Sequence, residues 1–399
     1  MTRRDSAFSI FLIFLRLGLT SFGGPIAHLG YYRREFVDRR RWIDDQTYAD
    51  LVALSQFLPG PASSQTGFAI GLMRGGLRGA VAAFLGFTLP SAAIMLGVAY
   101  GSVLLEDGLG GALVHGLKLV AVAVVAQAVQ GMARNLCPDA PRAAIAFFAM
   151  ALVLLSPGSL VQLAAMLLAG LVGLLACRDA EETRPAITAT LNHNRAAVLA
   201  LLLFATLLFA LPQLSSATNN GVLRLADIFY QAGALVFGGG HVVLPLLQAT
   251  TVETGLVGGS DFLAGYGAAQ ALPGPLFAFS AYLGALMPLG VSPPVAAMVA
   301  LLAIFLPGFL LVYGALPFWQ AMRASGHVRG ILKGVNAGVV GLLAAAFYDP
   351  IWTSSILSPL DLVLAGGAFL LLTVLKQGSG RVVAAMLASS TALHFSGVF

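Results

Sequence analysis

Apolar residues run through this chain in long blocks, punctuated by short polar stretches. About thirteen hydrophobic segments stand out, at 7–32, 49–73, 79–103, 112–133, 143–156, 159–177, 196–212, 225–249, 262–288, 294–317, 330–348, 359–375 and 381–397. Most reach the roughly 17–25 residues that a helix needs to cross a hydrocarbon core. In lipid the backbone must satisfy its own N–H and C=O groups, so helix is the element to expect. Four segments are interrupted. Ser21-Phe22-Gly23-Gly24-Pro25 breaks the first and Leu58-Pro59-Gly60-Pro61 the second. Phe237-Gly238-Gly239-Gly240 and Leu272-Pro273-Gly274-Pro275 break the eighth and ninth. The pattern predicts an all-α integral membrane protein with broken or re-entrant helices.

The interruptions recur at a fixed spacing. Phe22-Gly23-Gly24-Pro25 returns as Phe237-Gly238-Gly239-Gly240, 215 residues on, and Gln56 through Pro61 returns as Gln270 through Pro275, 214 on. Lys118 with Val120, Val124 and Val125 matches Lys333 with Val335, Val339 and Val340 at 215, and Leu89-Pro90 matches Leu306-Pro307 at 217. Offsets this constant mark an internal duplication. The expected organisation is a membrane repeat over 1–178, a linker with one hydrophobic segment over 179–222, and a second membrane repeat over 223–399. Six segments per repeat with one between them start the second repeat on the opposite side of the bilayer. Such inverted-topology repeats hold their substrate near the midplane, at the repeat interface.

Composition agrees with this and adds orientation. Hydrophobic residues make up 58% and charged residues 10%, against about 25% charged in soluble domains, so a soluble fold would lack a polar coat. The net charge of +5 comes from arginines in short loops, which is the membrane-topology signature and gives no reason to expect a nucleic-acid partner. With the N-terminus in the cytoplasm, the loops holding Arg74 and Arg78, Arg134 and Arg142, Arg178, Arg184 and Arg195, Arg323, Arg329 and Lys333, and Lys376 and Arg381 all fall inside. Simple counting puts 33–48 outside, although it carries Arg33, Arg34, Arg39, Arg40 and Arg41. If both interrupted segments of each repeat dip into the membrane and return, parity is unchanged and 33–48 becomes cytoplasmic. The matching stretch 250–261, which has no Lys or Arg, becomes external. Cys137 and Cys177 show no CxxC or Cys/His spacing, so no disulfide framework, metal site or cofactor is expected. The first run contains Arg16 and lacks a small-residue cleavage site, so it is expected to be retained.

The breaks carry the candidate chemistry. Pro59 and Pro61 lack N–H groups and disfavour helix at the residue before them, and Gly60 relieves the steric limit between them. Half-helix N-termini expose unpaired N–H groups and about half a positive charge, which suits an anion. Pro273, Gly274 and Pro275 repeat the device. A plain kink in a spanning helix is the bland alternative for each turn, and close helix packing is the alternative for the glycine runs. Gly23, Gly24, Pro25, Gly238, Gly239 and Gly240 would line the cavity. Gln56 and Gln270 would donate to the guest or cap a broken end, and Ser63 and Ser64 follow the first turn. Arg16 lies within an apolar run, one turn before Thr20 and Ser21. A cation at that depth costs about 2.5–3.5 kcal/mol and often marks function, so Arg16 is the charge expected to attract an oxyanion, with a snorkelling or paired arginine as the alternative. Its repeat partner is Gln231. His28, Glu35, Asp50, His241 and Glu253 are candidates for coupling to protons, His28 and His241 because imidazole titrates near neutral pH.

At these motifs the sequence resembles the chromate ion transporter family in its long two-domain form. The resemblance covers residues 8–397 and rests on Phe22-Gly23-Gly24-Pro25 with His28, Gln56 through Pro61, Phe237-Gly238-Gly239-Gly240-His241 with Pro245, and Gln270 through Pro275. It implies a multi-pass protein of the bacterial inner membrane that expels chromate, or a sulfate-like divalent oxyanion, using the proton motive force and so confers resistance. Its partners would be the oxyanion, protons and the lipid bilayer. The oligomeric state is left open, a homodimer included. A passive anion channel and a membrane enzyme acting on a lipid phosphate are the rival classes. The second would need carboxylate ligands or a placed base, which the sparse core carboxylates do not supply.

Overall fold

The computed structural model describes residues 5–22, 24–104, 109–156, 159–177, 195–237, 243–319 and 326–395, and these contain helices and connections with no strand. The first repeat holds α1 (Ala7–Thr20), α2 (Gly24–Tyr32), α3 (Asp45–Phe57), α4 (Ala62–Leu104), α5 (Leu109–Leu136), α6 (Ala140–Leu155) and α7 (Ser159–Ala176). The linker contributes α8 (Arg195–Ala217). The second repeat holds α9 (Gly221–Leu235), α10 (Val243–Thr251), α11 (Gly259–Ala271), α12 (Phe279–Leu286), α13 (Pro293–Ala315), α14 (Gly326–Ala346), α15 (Pro359–Thr373) and α16 (Ser379–Phe395). Large apolar side chains left exposed on α6, α7 and α8, among them Phe148, Leu167 and Phe209, give the outer surface its lipid-facing character.

The interrupted segments are half-helices. α1, α2 and α3 have 14, 9 and 13 residues, about 13–21 Å of rise, too short for a core of about 30 Å. The Ser6 hydroxyl starts α1 by accepting the Ser9 N–H, and the Asp44 carboxylate starts α3 by accepting the Thr47 N–H, which holds Asp44 below the usual carboxylate range. α3 and α11 stop where a residue precedes proline: Leu58 (φ −80°, ψ 150°) and Leu272 (φ −90°, ψ 149°) are both extended. α4 is two arms joined at Gly76, whose φ of 64° and ψ of −158° reverse the chain. A Cβ on Gly71 would lie 2.6 Å from the Gly79 carbonyl oxygen, so the arms run side by side. Gly290 (φ 70°) turns α12 into α13 at the equivalent place.

The sides of the membrane follow from contacts. Asp5, just before α1, pairs with Arg74 at 2.6 Å, and the Arg74 guanidinium lies 5.3 Å from the Trp42 ring centre. The start of α1, the loop after α2 and the end of the first α4 arm therefore share one face. Both interrupted segments thus begin and end near one another, the arrangement that re-entry needs, and the charge rule assigns the face bearing Arg33, Arg34, Arg39, Arg40, Arg41, Arg74 and Arg78 to the cytoplasm. In α4, α5 and α8 the chain has apolar helices long enough to cross a membrane, and α6 and α7 are shorter apolar helices. The second repeat opens at the other face, where Gly221 abuts the Leu289 carbonyl and Tyr282 Oη donates to the Asp261 carbonyl at 3.0 Å. In a Cys137→Ser/Cys177→Ser background, we expect Gln46→Cys to react with an impermeant thiol reagent in everted vesicles only, and Thr254→Cys in right-side-out vesicles only. Labelling of position 46 from outside would refute re-entry.

The long helices are exchanged between repeats. α14 packs on α6 and α7, while α5 packs on α15 and α16. Gly173 faces Gly330 and Gly334 at the first crossing, and Ser390 Oγ donates to the Ala112 carbonyl at 2.5 Å at the second.

Candidate functional site

The breaks meet at the centre and complete one another. Gly60 N–H donates to the Val236 carbonyl at 2.7 Å, and Gly274 N–H donates to the Ser21 carbonyl at 3.0 Å. Ser21 and Val236 are the C-caps of α1 and α9. Each proline turn thus satisfies the open end of the first helix in the opposite repeat, which lipid would leave unpaired. The turns need glycine, because Gly60 and Gly274 have φ of 122° and 98°. The pseudo-two-fold extends outward: a Cβ on Gly18 would meet the Phe87 carbonyl, and a Cβ on Gly233 the Ile304 carbonyl.

The first repeat supplies a buried polar group around its turn. His28 is 0% exposed, with Nε2 at 3.2 Å from the Ser21 carbonyl and Nδ1 at 3.4 Å from Ser63 Oγ. A carbonyl only accepts, so Nε2 carries the proton and Nδ1 accepts from the Ser63 hydroxyl. The same Ser21 carbonyl therefore takes an N–H from His28 and one from Gly274. Gln65 Nε2 donates to the Pro59 carbonyl at 2.8 Å and to the Gly308 carbonyl at 3.1 Å, tying the first turn to α13. Several buried polar atoms around the breaks have no partner: Oγ of Ser21, Ser55 and Ser64, Oγ1 of Thr88, Oε1 of Gln65 and Nε2 of Gln270. Each costs about 1–3 kcal/mol if left empty. Most are hydroxyl or amide donors. The N–H groups of Ala62, Ser63 and Ser64 precede the first intrahelical bond, Gln65 N–H to the Pro61 carbonyl at 2.9 Å, and so face the break as well. Together they form a neutral, donor-rich cluster of the kind that can replace the water around an oxyanion.

The structure thus gathers Ser21, Pro59, Gly60, Pro61, Ser63, Ser64, His28, Gln270, Pro273, Gly274 and Pro275 about the breaks, with Gly24 and Pro25 opening α2 beside them. Gly23, Gly238, Gly239, Gly240 and His241 lie outside the described residues. Gln56 is exposed while Gln270 is buried, so the two amides are not equivalent. Sequence reasoning did not single out Ser55, Gln65, Thr88 and Gly308 as site residues. The polar run Ser63-Ser64-Gln65-Thr66 carried a signal for Gln65, and the repeated Leu-Pro motif leads to Thr88 and Gly308.

Arg16 sits on the exposed face of α1, and Thr20 beside it donates its hydroxyl to the Arg16 carbonyl at 2.8 Å. Arg16 lies about 16 Å along the helix from Asp5 and about 8 Å from Ser21, and among the described residues its guanidinium makes no ion pair. A bare cation facing hydrocarbon at that depth is costly, so this face is wet or covered. The other coupling candidates are dispersed. Glu35 is paired with Arg40 at 2.6 Å and with Arg39 at 3.2 Å on the inner face. Asp50 accepts from Gln46 on α3 at 3.5 Å. Glu253 follows α10, where burial and then the charge of Asp349 raise its carboxyl above the usual range.

Compared with family models, residues 8–174 and 223–393 each match the one described as Chromate transporter. A chromate transport protein of Pseudomonas aeruginosa is 30% identical over 85% of this chain and 80% of its own length. A probable chromate transport protein of Synechococcus elongatus is 28% identical over 84% of this chain and 81% of its own, and a chromate transport protein of Cupriavidus metallidurans is 26% identical over 84% and 80%. No solved structure matches the chain.

Proposed function

Because the chain belongs to the chromate transporter family, we propose that it carries chromate, or a sulfate-like divalent oxyanion, out across the bacterial inner membrane at the expense of the proton motive force, and so confers chromate resistance. The observation that carries this reading is the central pair of interlocked breaks with its unpartnered buried donors. A tetrahedral dianion that has shed its water needs several hydrogen bonds at once. The Ser21, Ser64 and Thr88 hydroxyls, the Gln270 amide and the first N–H groups of the α4 arm are of the right kind. Arg16 draws the anion inward along α1, and the cluster of inner-face arginines raises its local concentration at the entrance.

Alternating access then means exchanging which side of the centre is open. The Gly60–Val236 and Gly274–Ser21 bonds are the links that rocking one repeat against the other would strain or release. His28 offers a route for coupling. A second proton on Nδ1 would force Ser63 to turn its hydroxyl and accept, which changes the donors offered to the guest. The asymmetry of the repeats fits a pump with one loading pocket, since Ser63 and Ser64 have Phe277 and Ala278 in their place in the second copy.

The test is uptake of labelled chromate and sulfate into everted vesicles, with and without an imposed proton gradient. Chromate is expected to accumulate with the gradient, and Arg16→Ala to lose at least tenfold of this. Equal accumulation in vesicles lacking the protein would end the reading. Accumulation insensitive to the gradient would point to a passive channel.

A further inference from the structure

Two small cavities lead inward from the outer face between α7, α10 and α14, and Gln162 at the start of α7 forms a wall of both. The outer one, of about 80 Å³, is lined by Gln162, Gln248, Glu253 and Asp349 within an apolar frame. Every polar side chain named here offers oxygen. Gln162 is 4% exposed, and its Oε1 has no donor within reach. Gln248 Oε1 is also buried and unpartnered. Among the described residues, neither carboxylate makes an ion pair, and Asp349 accepts only the Thr353 hydroxyl, at 3.1 Å.

Two carboxylates, with two amides that can turn their oxygens to the cavity, suit a positive guest. The guest that satisfies them all is a cation on hard oxygen ligands. Calcium takes six to eight such oxygens in a roomier cage, and magnesium keeps most of its water. Both carboxylates lie on the exposed side of the cavity, where water shares their charge, and the buried part offers two neutral amides, so a single charge suits it. We infer that this cavity is a binding site for a small monovalent cation, with sodium the natural fit, held by Glu253, Asp349, Gln162 and Gln248.

The raised Glu253 carboxyl is in keeping, because a bound cation offsets both the burial and the repulsion from Asp349. The inner cavity, of about 110 Å³, continues from Gln162 past Gln231 and Thr250 to Leu235. Leu235 is the residue before Val236, whose carbonyl receives the Gly60 N–H. An ion at the outer mouth is therefore two steps from the central break. The site stands apart from the oxyanion reading, and its test needs no oxyanion.

Purified full-length protein in detergent is titrated with sodium chloride, potassium chloride and choline chloride, and separately with calcium and magnesium chlorides, at constant ionic strength, following thermal unfolding and binding heat. Sodium is expected to give a saturable rise in Tm that choline does not. Glu253→Gln is expected to weaken sodium at least tenfold with the starting Tm kept, since Glu253 is exposed and glutamine keeps its shape. Asp349→Asn is expected to act likewise. Lowering the pH through the raised range of Glu253 weakens sodium by competition, Asp349 being the other titratable group that lines the cavity. Identical curves for the three salts would overturn the proposal, as would an unchanged sodium response in Glu253→Gln. A response to pH alone would mean that the carboxylates hold only a proton, and tighter binding of calcium or magnesium would refute the single charge.

Discussion

Gly60→Ala is expected to reach the membrane and to lose at least tenfold of its oxyanion transport. The φ of 122° at Gly60 lies outside every region an alanine adopts readily, which costs about 1–3 kcal/mol. The added Cβ would also sit 2.9 Å from Gln65 Nε2 and 3.0 Å from the Gly308 Cα. The Gln65 end can retreat, but only by giving up its bonds to the Pro59 and Gly308 carbonyls. The backbone of α13 has less room to yield. Relief by shifting the turn breaks the Gly60 bond to Val236 and leaves the end of α9 unsatisfied. Uptake per unit of protein in everted vesicles measures the effect, and wild-type uptake by Gly60→Ala would remove the turn from the mechanism. Gly274→Ala should be milder, because its Cβ meets a rotatable hydroxyl, Ser91 Oγ at 2.9 Å, with the Phe87 carbonyl further off at 3.3 Å.

The second large effect is on folding. Gly334→Leu is expected to lower Tm in detergent by more than 10 °C or to abolish the monodisperse peak in size exclusion. Between helices in lipid there is little hydrophobic drive, so close backbone approach through small residues holds them together. At the α7–α14 crossing a Cβ on Gly334 would run into the Ala169 carbonyl and lie 2.7 Å from the Gly173 Cα. These are backbone atoms on both sides, so the helices must separate, at a cost of about 3 kcal/mol or more. Gly366→Leu on α15 is the matched control, because nothing lies within 4 Å of its added Cβ. If both variants melt with wild type, the exchanged packing of α14 onto the first repeat is wrong.

The sequence carried the segments, the duplication and the breaks because proline and glycine act locally. A proline forces its predecessor out of helix wherever it stands, as Leu58 and Leu272 show. The arginines between 33 and 41 argue for re-entry, since five cations on the outer face would violate the charge rule. What escaped was lateral. Hydropathy records how deep a residue lies, not which neighbour it meets, so nothing in it pairs Gly60 with Val236 or places α14 on α6 and α7. The inequality of Gln56 and Gln270, and the roles of Gln65 and Thr88, depend on that pairing. Gln65 turns toward α13, 243 positions away in the chain, a distance over which no periodicity speaks.

The reciprocal capping of the breaks has a consequence for how such a molecule can be made. A fragment ending in the linker would enter lipid with the Ser21 carbonyl held by His28 alone, short of its Gly274 donor, and the complementary fragment would have the Val236 carbonyl bare. The first piece covers its own opening only in part and the second not at all, so each is complete only in the company of its counterpart. Biogenesis is then a joint act, in which the earlier-inserted portion waits, incompletely sealed, for the later one to arrive from the ribosome in the opposite orientation.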